Sequence, residues 1–174
     1  THAAAWIVMA LARLGGGDEV PVLFHMLNPI NHTRTAADVD RYKAEPYVTP
    51  GNSDGPDSAN YGRGSWTWYT GSAAWLCRVA TNWLLGVRPV LEGLLIDPCI
   101  PKGWNGFEMT RKFRGATYKI IISNAAHVSH GVKEIKLDGR KLNSNIVPSF
   151  RDKKIHLVEV ILGDVPKRDT PLPK

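Results

Sequence analysis

Ser72-Ala73-Ala74-Trp75-Leu76-Cys77-Arg78-Val79-Ala80-Thr81-Asn82-Trp83-Leu84-Leu85-Gly86-Val87-Arg88-Pro89-Val90-Leu91-Glu92-Gly93-Leu94-Leu95-Ile96-Asp97-Pro98 is the stretch in which the chain changes period. In its first half Ala73, Leu76, Ala80, Trp83 and Leu84 recur at helical spacing, which predicts a helix over 72–85 that Gly86 stops. In its second half Leu94-Leu95-Ile96 is a short apolar run closed by Asp97-Pro98, the signature of a strand and a turn. The fold class follows from this switch: α first, then β, with the change near residue 90.

Toward the N-terminus the helical period continues. Ala3, Trp6, Ile7, Ala10, Leu11 and Leu14 recur at i, i+3, i+4 spacing and give way to Gly15-Gly16-Gly17. Asp18 can cap a second helix through Val22, Leu23 and Met26, with Pro21 tolerated in its first turn and Asn28-Pro29 ending it. Thr35 followed by Asp38 resembles a capping start for a short helix over 36–43. Toward the C-terminus, 94–98, 107–113, 117–123, 132–137 and 155–162 are short β-branched or alternating runs. They are punctuated by Gly115, Asn124, Asp138-Gly139 and Gly163, as in part of a β-sandwich or jelly roll. The tail from Asp164, with Pro166, Pro171 and Pro173, is expected to be loosely ordered.

The 174 residues are 43% hydrophobic and 22% charged and include six Trp, which excludes intrinsic disorder. No apolar run reaches the roughly 18 residues of a membrane span, so no membrane partner is expected. The chain opens on Thr1-His2 without an initiator Met or a basic leader, and its natural start is expected upstream. Cys77 and Cys99 are too few for a disulfide scaffold and lack CxxC spacing; two reduced thiols in a cytoplasmic protein are the expectation. The net charge of +6 is concentrated from Lys133 onward, where Phe150 is the one aromatic residue and apolar runs interrupt the basic ones. That pattern suits a solvated basic surface and not a nucleic-acid interface.

The stretch 46–68 fits neither period, and a loop of that length inside a compact domain points to function. It leads into Gly64-Ser65-Trp66-Thr67-Trp68-Tyr69-Thr70-Gly71. A hydroxyl at Thr70, close backbone approach at Gly71 and a helix N-terminus together make a plausible anion seat. The faces of Trp66, Trp68 and Tyr69 suit sugar rings. Equally, Thr70 could only cap the helix and the Trp residues could be core. His2 at the start of a helix reads, by itself, as structural. Glu45, Asp54 and Asp57 could pair as glycosidase acid and base, although Asp and Gly beside Pro are also what turns require. No histidine has metal-ligand spacing, so no metal is expected. Gly62-Arg63-Gly64 lacks a dinucleotide fingerprint, and neither GxSxG nor a Walker motif is present.

Several strings in order carry a resemblance. They are Thr1-His2-Ala3-Ala4-Ala5-Trp6, Asn28-Pro29-Ile30-Asn31-His32, Arg41-Tyr42-Lys43-Ala44-Glu45-Pro46-Tyr47-Val48, Gly62-Arg63-Gly64-Ser65-Trp66-Thr67-Trp68-Tyr69-Thr70-Gly71-Ser72-Ala73, Leu85-Gly86-Val87-Arg88 and Ile96-Asp97-Pro98-Cys99-Ile100-Pro101. Together they resemble the C-terminal part of a glycoside phosphorylase of glycoside hydrolase family 94, the cellobiose and chitobiose phosphorylase group, over nearly the whole chain to Gly163. The loop 49–58 resembles the cellobionic acid phosphorylase branch most. Where cellobiose phosphorylases carry a substrate-binding glutamine, this chain has Pro50-Gly51-Asn52.

The resemblance implies the last helices of an (α/α)6 barrel over 1–90 and a C-terminal β domain over 91–174. It implies inverting phosphorolysis of a β-glucosidic disaccharide to α-glucose 1-phosphate, with His2, Thr70 and Gly71 holding phosphate. Glu45, Asn52, Trp66 and Trp68 are the candidate sugar-binding residues. No cofactor is implied, because inorganic phosphate is itself a substrate. The general acid Asp belongs upstream of Thr1, so the chain carries no catalytic acid and is expected to be inactive alone. A homodimer is the implied assembly. Two alternatives stay open: the phosphorylase-like module of a cyclic β-1,2-glucan synthase, and a non-catalytic carbohydrate-binding module.

Overall fold

The computed structural model describes residues 1–164; the tail expectation beyond Asp164 falls outside the described residues. The described residues form two compact units, one over Thr1–Leu84 and one that begins at Leu85.

The first unit is helical. Helix α1 is His2–Arg13, α2 is Glu19–Leu27, α3 is Ala36–Tyr42 and α4 is Thr70–Arg78, with a 3₁₀ turn at Pro29–His32. The Thr35–Asp38 capping box is formed in both directions, and Lys43 ends α3 in a left-handed conformation. The helix predicted over 72–85 begins two residues earlier and changes to a π-helix over Val79–Leu84. There the Thr81 hydroxyl donates to the Cys77 carbonyl at 2.9 Å.

The apolar stripe read on α1 is not its buried face. Ala5 and Val8 are buried, whereas Trp6, Ile7 and Leu14 are exposed, Leu14 by 82%. The reason is that α1 is apolar nearly all round, so spacing alone cannot choose the side that packs. On α2 the same holds: Val20 is buried, and Val22 and Met26 face outward. Tyr42 closes the core of the unit, 2% exposed and stacked on His32 at 5.0 Å between ring centres. Burial pushes its phenol above the ordinary value. Gly64 lies flat against that ring, where a Cβ would come within 3.1 Å. The glycines of Gly62-Arg63-Gly64 therefore serve close packing.

Within 46–68 the structure adds an unpredicted ribbon, β1 (Asn52–Ser53) antiparallel to β2 (Gly64–Ser65). Its tip is bonded to itself: Asp54 accepts from Asn52 Nδ2 at 3.2 Å and from the Ser58 hydroxyl at 3.1 Å. Asp54 is thus spent on turn chemistry.

The second unit holds two sheets. β3 (Val87–Pro89), β4 (Gly93–Ile96) and β9 (Ile146–Pro148) form an antiparallel sheet in the order β3-β4-β9. β5 (Gly106–Phe113), β6 (Ala116–Ser123), β7 (Val132–Leu137), β8 (Arg140–Lys141) and β10 (Ile155–Leu162) form the other, in the order β5-β6-β10-β7-β8. The pair β6/β10 is parallel, from Thr117 opposite Ile155 to Ser123 opposite Ile161. Arg114-Gly115 and Asp138-Gly139 make two-residue hairpin turns with positive φ at both positions. Alternate residues of β6 and β10 meet Leu94, Ile96 and Val147 in one core. Tyr118 ties it together, its hydroxyl accepting from Phe150 N at 2.9 Å and donating to the Pro148 carbonyl at 3.2 Å. Val87–Pro89, on the helical side of the expected divide near residue 90, pairs into this unit. Among the described residues no helix is long and apolar enough to cross a membrane.

Candidate functional site

Three pieces of the helical unit build the site: the first turn of α1, the first turn of α4, and the segment that leads into α4. His2 opens α1. Its imidazole meets Trp6 edge to face, ring centres 4.9 Å apart, and lies 6.0 Å from Trp75 on α4. Trp6 and Trp75 are themselves in edge contact at 5.6 Å. The two indoles fix the plane of the imidazole against the start of α4. A Cβ at Gly71 would lie 3.7 Å from His2 Cε1 and Nδ1, so His2 and Gly71 are neighbours although far apart in sequence.

Tyr69 is the N-cap of α4 and places no side-chain acceptor on its amides. Thr70 is therefore the first helical residue and not the cap. No acidic residue stands in that first turn, so the positive end of the helix and its unbonded amides remain uncompensated. Thr70 and Gly71 are exposed, while Ser72 is wholly buried. His2 Nε2 and Ser72 Oγ are buried and have no hydrogen-bond partner among the described residues. Chemically this is a donor-rich turn, a hydroxyl and an imidazole arranged for an oxyanion.

A strap ties the two helix starts together. Thr1 N donates to the Gly51 carbonyl at 2.8 Å. Gly51 N donates to the Ser65 and Trp66 carbonyls at 3.0 Å, and Tyr69 N to the Thr49 carbonyl at 3.1 Å.

The aromatic residues beside the strap are not core. Trp66 is 78% and Trp68 64% exposed, and both sit at left-handed φ, +52° and +62°. A bulky residue rarely adopts that conformation, and such strain concentrates at ligand-binding sites. Trp68 Nε1 donates to Glu45 Oε1 at 3.2 Å, and the Tyr47 ring meets the indole at 70°. Glu45 is thereby engaged with an indole. Asn52 is exposed on the ribbon and bonded to Asp54. Thus His2 and Gly71, with Thr70 beside it, form one group, Glu45 and Trp68 a second, and Asn52 stands with the ribbon tip. Sequence reasoning missed Ser72, Trp75 and Tyr47; a small polar residue following Thr70-Gly71 was the only signal for Ser72. Among the described residues no group of three or more His, Cys, Asp or Glu is gathered to hold a metal ion.

Residues 1–86 match the model of the glycosyl hydrolase 94 superfamily, catalytic domain. The chain is 39% identical over 163 residues to the N,N'-diacetylchitobiose phosphorylase of Vibrio proteolyticus, covering 94% of this chain and 20% of that protein. It is 42% identical over 123 residues to the cyclic beta-(1,2)-glucan synthase NdvB of Rhizobium meliloti, covering 71% of this chain and 4% of that protein. Over 61 residues it is 44% identical to the cellobionic acid phosphorylase of Neurospora crassa, 35% of this chain and 8% of that protein. The chain spans a fifth of the length, or less, of these curated relatives.

Proposed function

The chain belongs to the glycosyl hydrolase 94 superfamily, and from that premise we propose that it is the C-terminal part of an inverting disaccharide phosphorylase. Inorganic phosphate attacks the anomeric carbon of a β-glucoside from the face opposite the glycosidic oxygen. A carboxylic acid from the upstream part of the protein protonates that oxygen, and α-glucose 1-phosphate leaves with inverted configuration. Phosphate takes the place of the water of an inverting hydrolase, so a single carboxyl group suffices.

His2, Thr70 and Gly71 hold the phosphate. The imidazole and the hydroxyl each bond an oxygen, the first amides of α4 add donors, and the helix end offsets the dianion's charge. Fixing the nucleophile in line with the anomeric carbon removes much of its entropic cost. The observation that carries this reading is the packing of the His2 ring over Gly71 at an uncompensated helix start, with the Nδ1 edge of the imidazole beside that residue. Trp66 and Trp68 form the rest for a sugar ring, with Glu45 and Asn52 beside them.

The exposed apolar positions on α1 and α2 support the helical unit as the last helices of an (α/α)6 barrel that continues in further helices. The strand unit is then the C-terminal β domain, of sandwich or jelly-roll type. Without the upstream acid the 174 residues alone are inactive, and the whole protein works as a cytoplasmic homodimer. We take its substrate to be of the cellobionic acid or cellobiose class, a reading supported by the resemblance of the loop 49–58.

The test is made on the full-length protein in the synthetic direction, with glucose 1-phosphate and gluconate, glucose or N-acetylglucosamine in parallel. Phosphate release with one of them is expected, and none with any acceptor overturns the reading. Turnover with glucose or N-acetylglucosamine but not gluconate defeats the cellobionate preference alone.

A second reading, the phosphorylase-like module of a cyclic β-1,2-glucan synthase, is favoured by the match over 71% of the chain to such a synthase. The length of the parent reading frame separates the two, since this chain spans 20% of the chitobiose phosphorylase but 4% of the synthase.

A further inference from the structure

Ser72 is the third residue of α4, wholly buried, and its hydroxyl has no hydrogen-bond partner among the described residues. The same is true of His2 Nε2. These two atoms belong to adjoining pieces of the structure: the His2 ring packs on Gly71, and Ser72 is the next residue. Buried polar atoms are nearly always bonded, and an unbonded one lowers stability. Alanine would fill the position without that cost. A buried hydroxyl left unbonded at that position is available for a bond when the site is occupied.

We propose that Ser72 is a positioning residue of the phosphate site, whose hydroxyl bonds His2 Nε2 when phosphate is bound and turns the Nδ1 edge of the imidazole toward the anion. The inference rests on the phosphate reading above and deepens it. A hydroxyl is suited to both protonation states of the ring. It donates to Nε2 of the neutral imidazole, leaving the proton on Nδ1, or accepts from Nε2–H of the imidazolium. In either state Nδ1, the nitrogen beside Gly71, carries a proton to offer a phosphate oxygen. The exposed first turn of α4 supplies the remaining donors, while Ser72 lies beneath it and does not touch the anion.

The experiment compares Ser72→Ala, Ser72→Thr, His2→Asn and Thr70→Ala in the full-length protein. It reads KM for phosphate, KM for the disaccharide, the pH dependence of kcat/KM for phosphate, and Tm. In Ser72→Ala the phosphate KM is expected to rise about tenfold, the loss of one hydrogen bond to a charged system. The disaccharide KM stays the same, the pH profile shifts, and Tm is unchanged or raised. Ser72→Thr, which restores the hydroxyl, moves phosphate KM back toward the parent value. An unchanged phosphate KM and pH profile in Ser72→Ala overturns the role when His2→Asn and Thr70→Ala do raise phosphate KM. If those two variants leave it unchanged as well, the phosphate seat itself is misplaced and the role falls with it. Loss of folded Ser72→Ala protein also overturns it, because the hydroxyl would then be serving the fold.

Discussion

The indole N–H of Trp68 donates to the carboxylate of Glu45, which holds an exposed ring of left-handed backbone in one orientation with Tyr47 against its edge. If Trp68 is the sugar rest proposed above, Glu45 acts on the sugar through it. Glu45→Ala is expected to raise the disaccharide KM of the full-length enzyme several-fold and leave the phosphate KM unchanged. Glu45→Gln keeps an acceptor oxygen and loses about half the strength of the bond, so its effect is smaller. A double-mutant cycle with Trp68→Ala checks the coupling; additive effects would show that Glu45 and Trp68 work separately.

Gly71 separates the fold from the site. Its φ is not in the left-handed region, and a Cβ would make ordinary van der Waals contact with His2 at 3.7 Å. Alanine is a better helix former than glycine, so Gly71→Ala is expected to stabilise the protein by about 0.5 kcal/mol. The added methyl group stands at the exposed turn proposed above as the phosphate seat, and on that reading phosphate KM is expected to rise about tenfold or more. Thermal unfolding and steady-state kinetics on one preparation check both. A variant that gains stability and keeps its phosphate KM would remove Gly71 from the seat.

Local signals were the legible part of the sequence. The Thr35–Asp38 capping box and the Asp138-Gly139 and Arg114-Gly115 turns are decided within a few residues, and each formed. The buried face of α1 was illegible because its apolar residues surround the axis, so the choice of Ala5 and Val8 over Trp6 and Ile7 belongs to tertiary packing. The parallel pairing of β6 with β10 and the short strands β8 and β9 depend on partners distant in sequence. At the site, the adjacency of His2 and Gly71 became legible only through family resemblance, because it is set by two helices meeting. For Ser72 the one signal, a small polar residue following Thr70-Gly71, does not decide the matter, because nothing local distinguishes a buried serine in a first helical turn from a solvated one.

His156 is the pH-sensitive joint of the strand unit. Its Nδ1 meets Asp138 at 2.7 Å, its Nε2 meets Asp152 at 3.2 Å, and the ring stacks on Phe150. The bond to Asp138 raises its pKa above the ordinary 6.5, partial burial opposes that, and Asp152 adds to the rise. A raised histidine contributes stability that is complete below pH 6.5 and lost as pH climbs through the folded value. Asp138 and Asp152 are held below 3.8, Asp138 chiefly by His156 and Asp152 chiefly by the Lys154 amide. Their contribution is complete above 3.8 and lost as pH falls through the folded values. Tm is therefore expected to be highest between those limits and to decline on the alkaline side. His156→Gln should flatten the alkaline decline, which Tm measured at a series of pH values will show. Equal slopes in both proteins would mean that another group governs it.

Gly86 and Gly139 both sit at left-handed φ, +67° and +79°, yet they should respond differently to alanine. At Gly139 a Cβ would meet nothing within 4 Å, so only backbone strain is added, about 1 kcal/mol. At Gly86 a Cβ would overlap the Asp97 carbonyl and Pro98 N, which are backbone atoms of the segment leaving β4. That segment cannot move away freely, because Asp97 N donates to the Gly86 carbonyl at 2.7 Å. Strain and overlap together make Gly86→Ala cost roughly 3 kcal/mol or more. Urea unfolding of the two variants beside the parent measures the difference. Equal losses would mean that the backbone around Asp97 yields, and that the close approach between Gly86 and Asp97 does not hold the first hairpin of the strand unit in place.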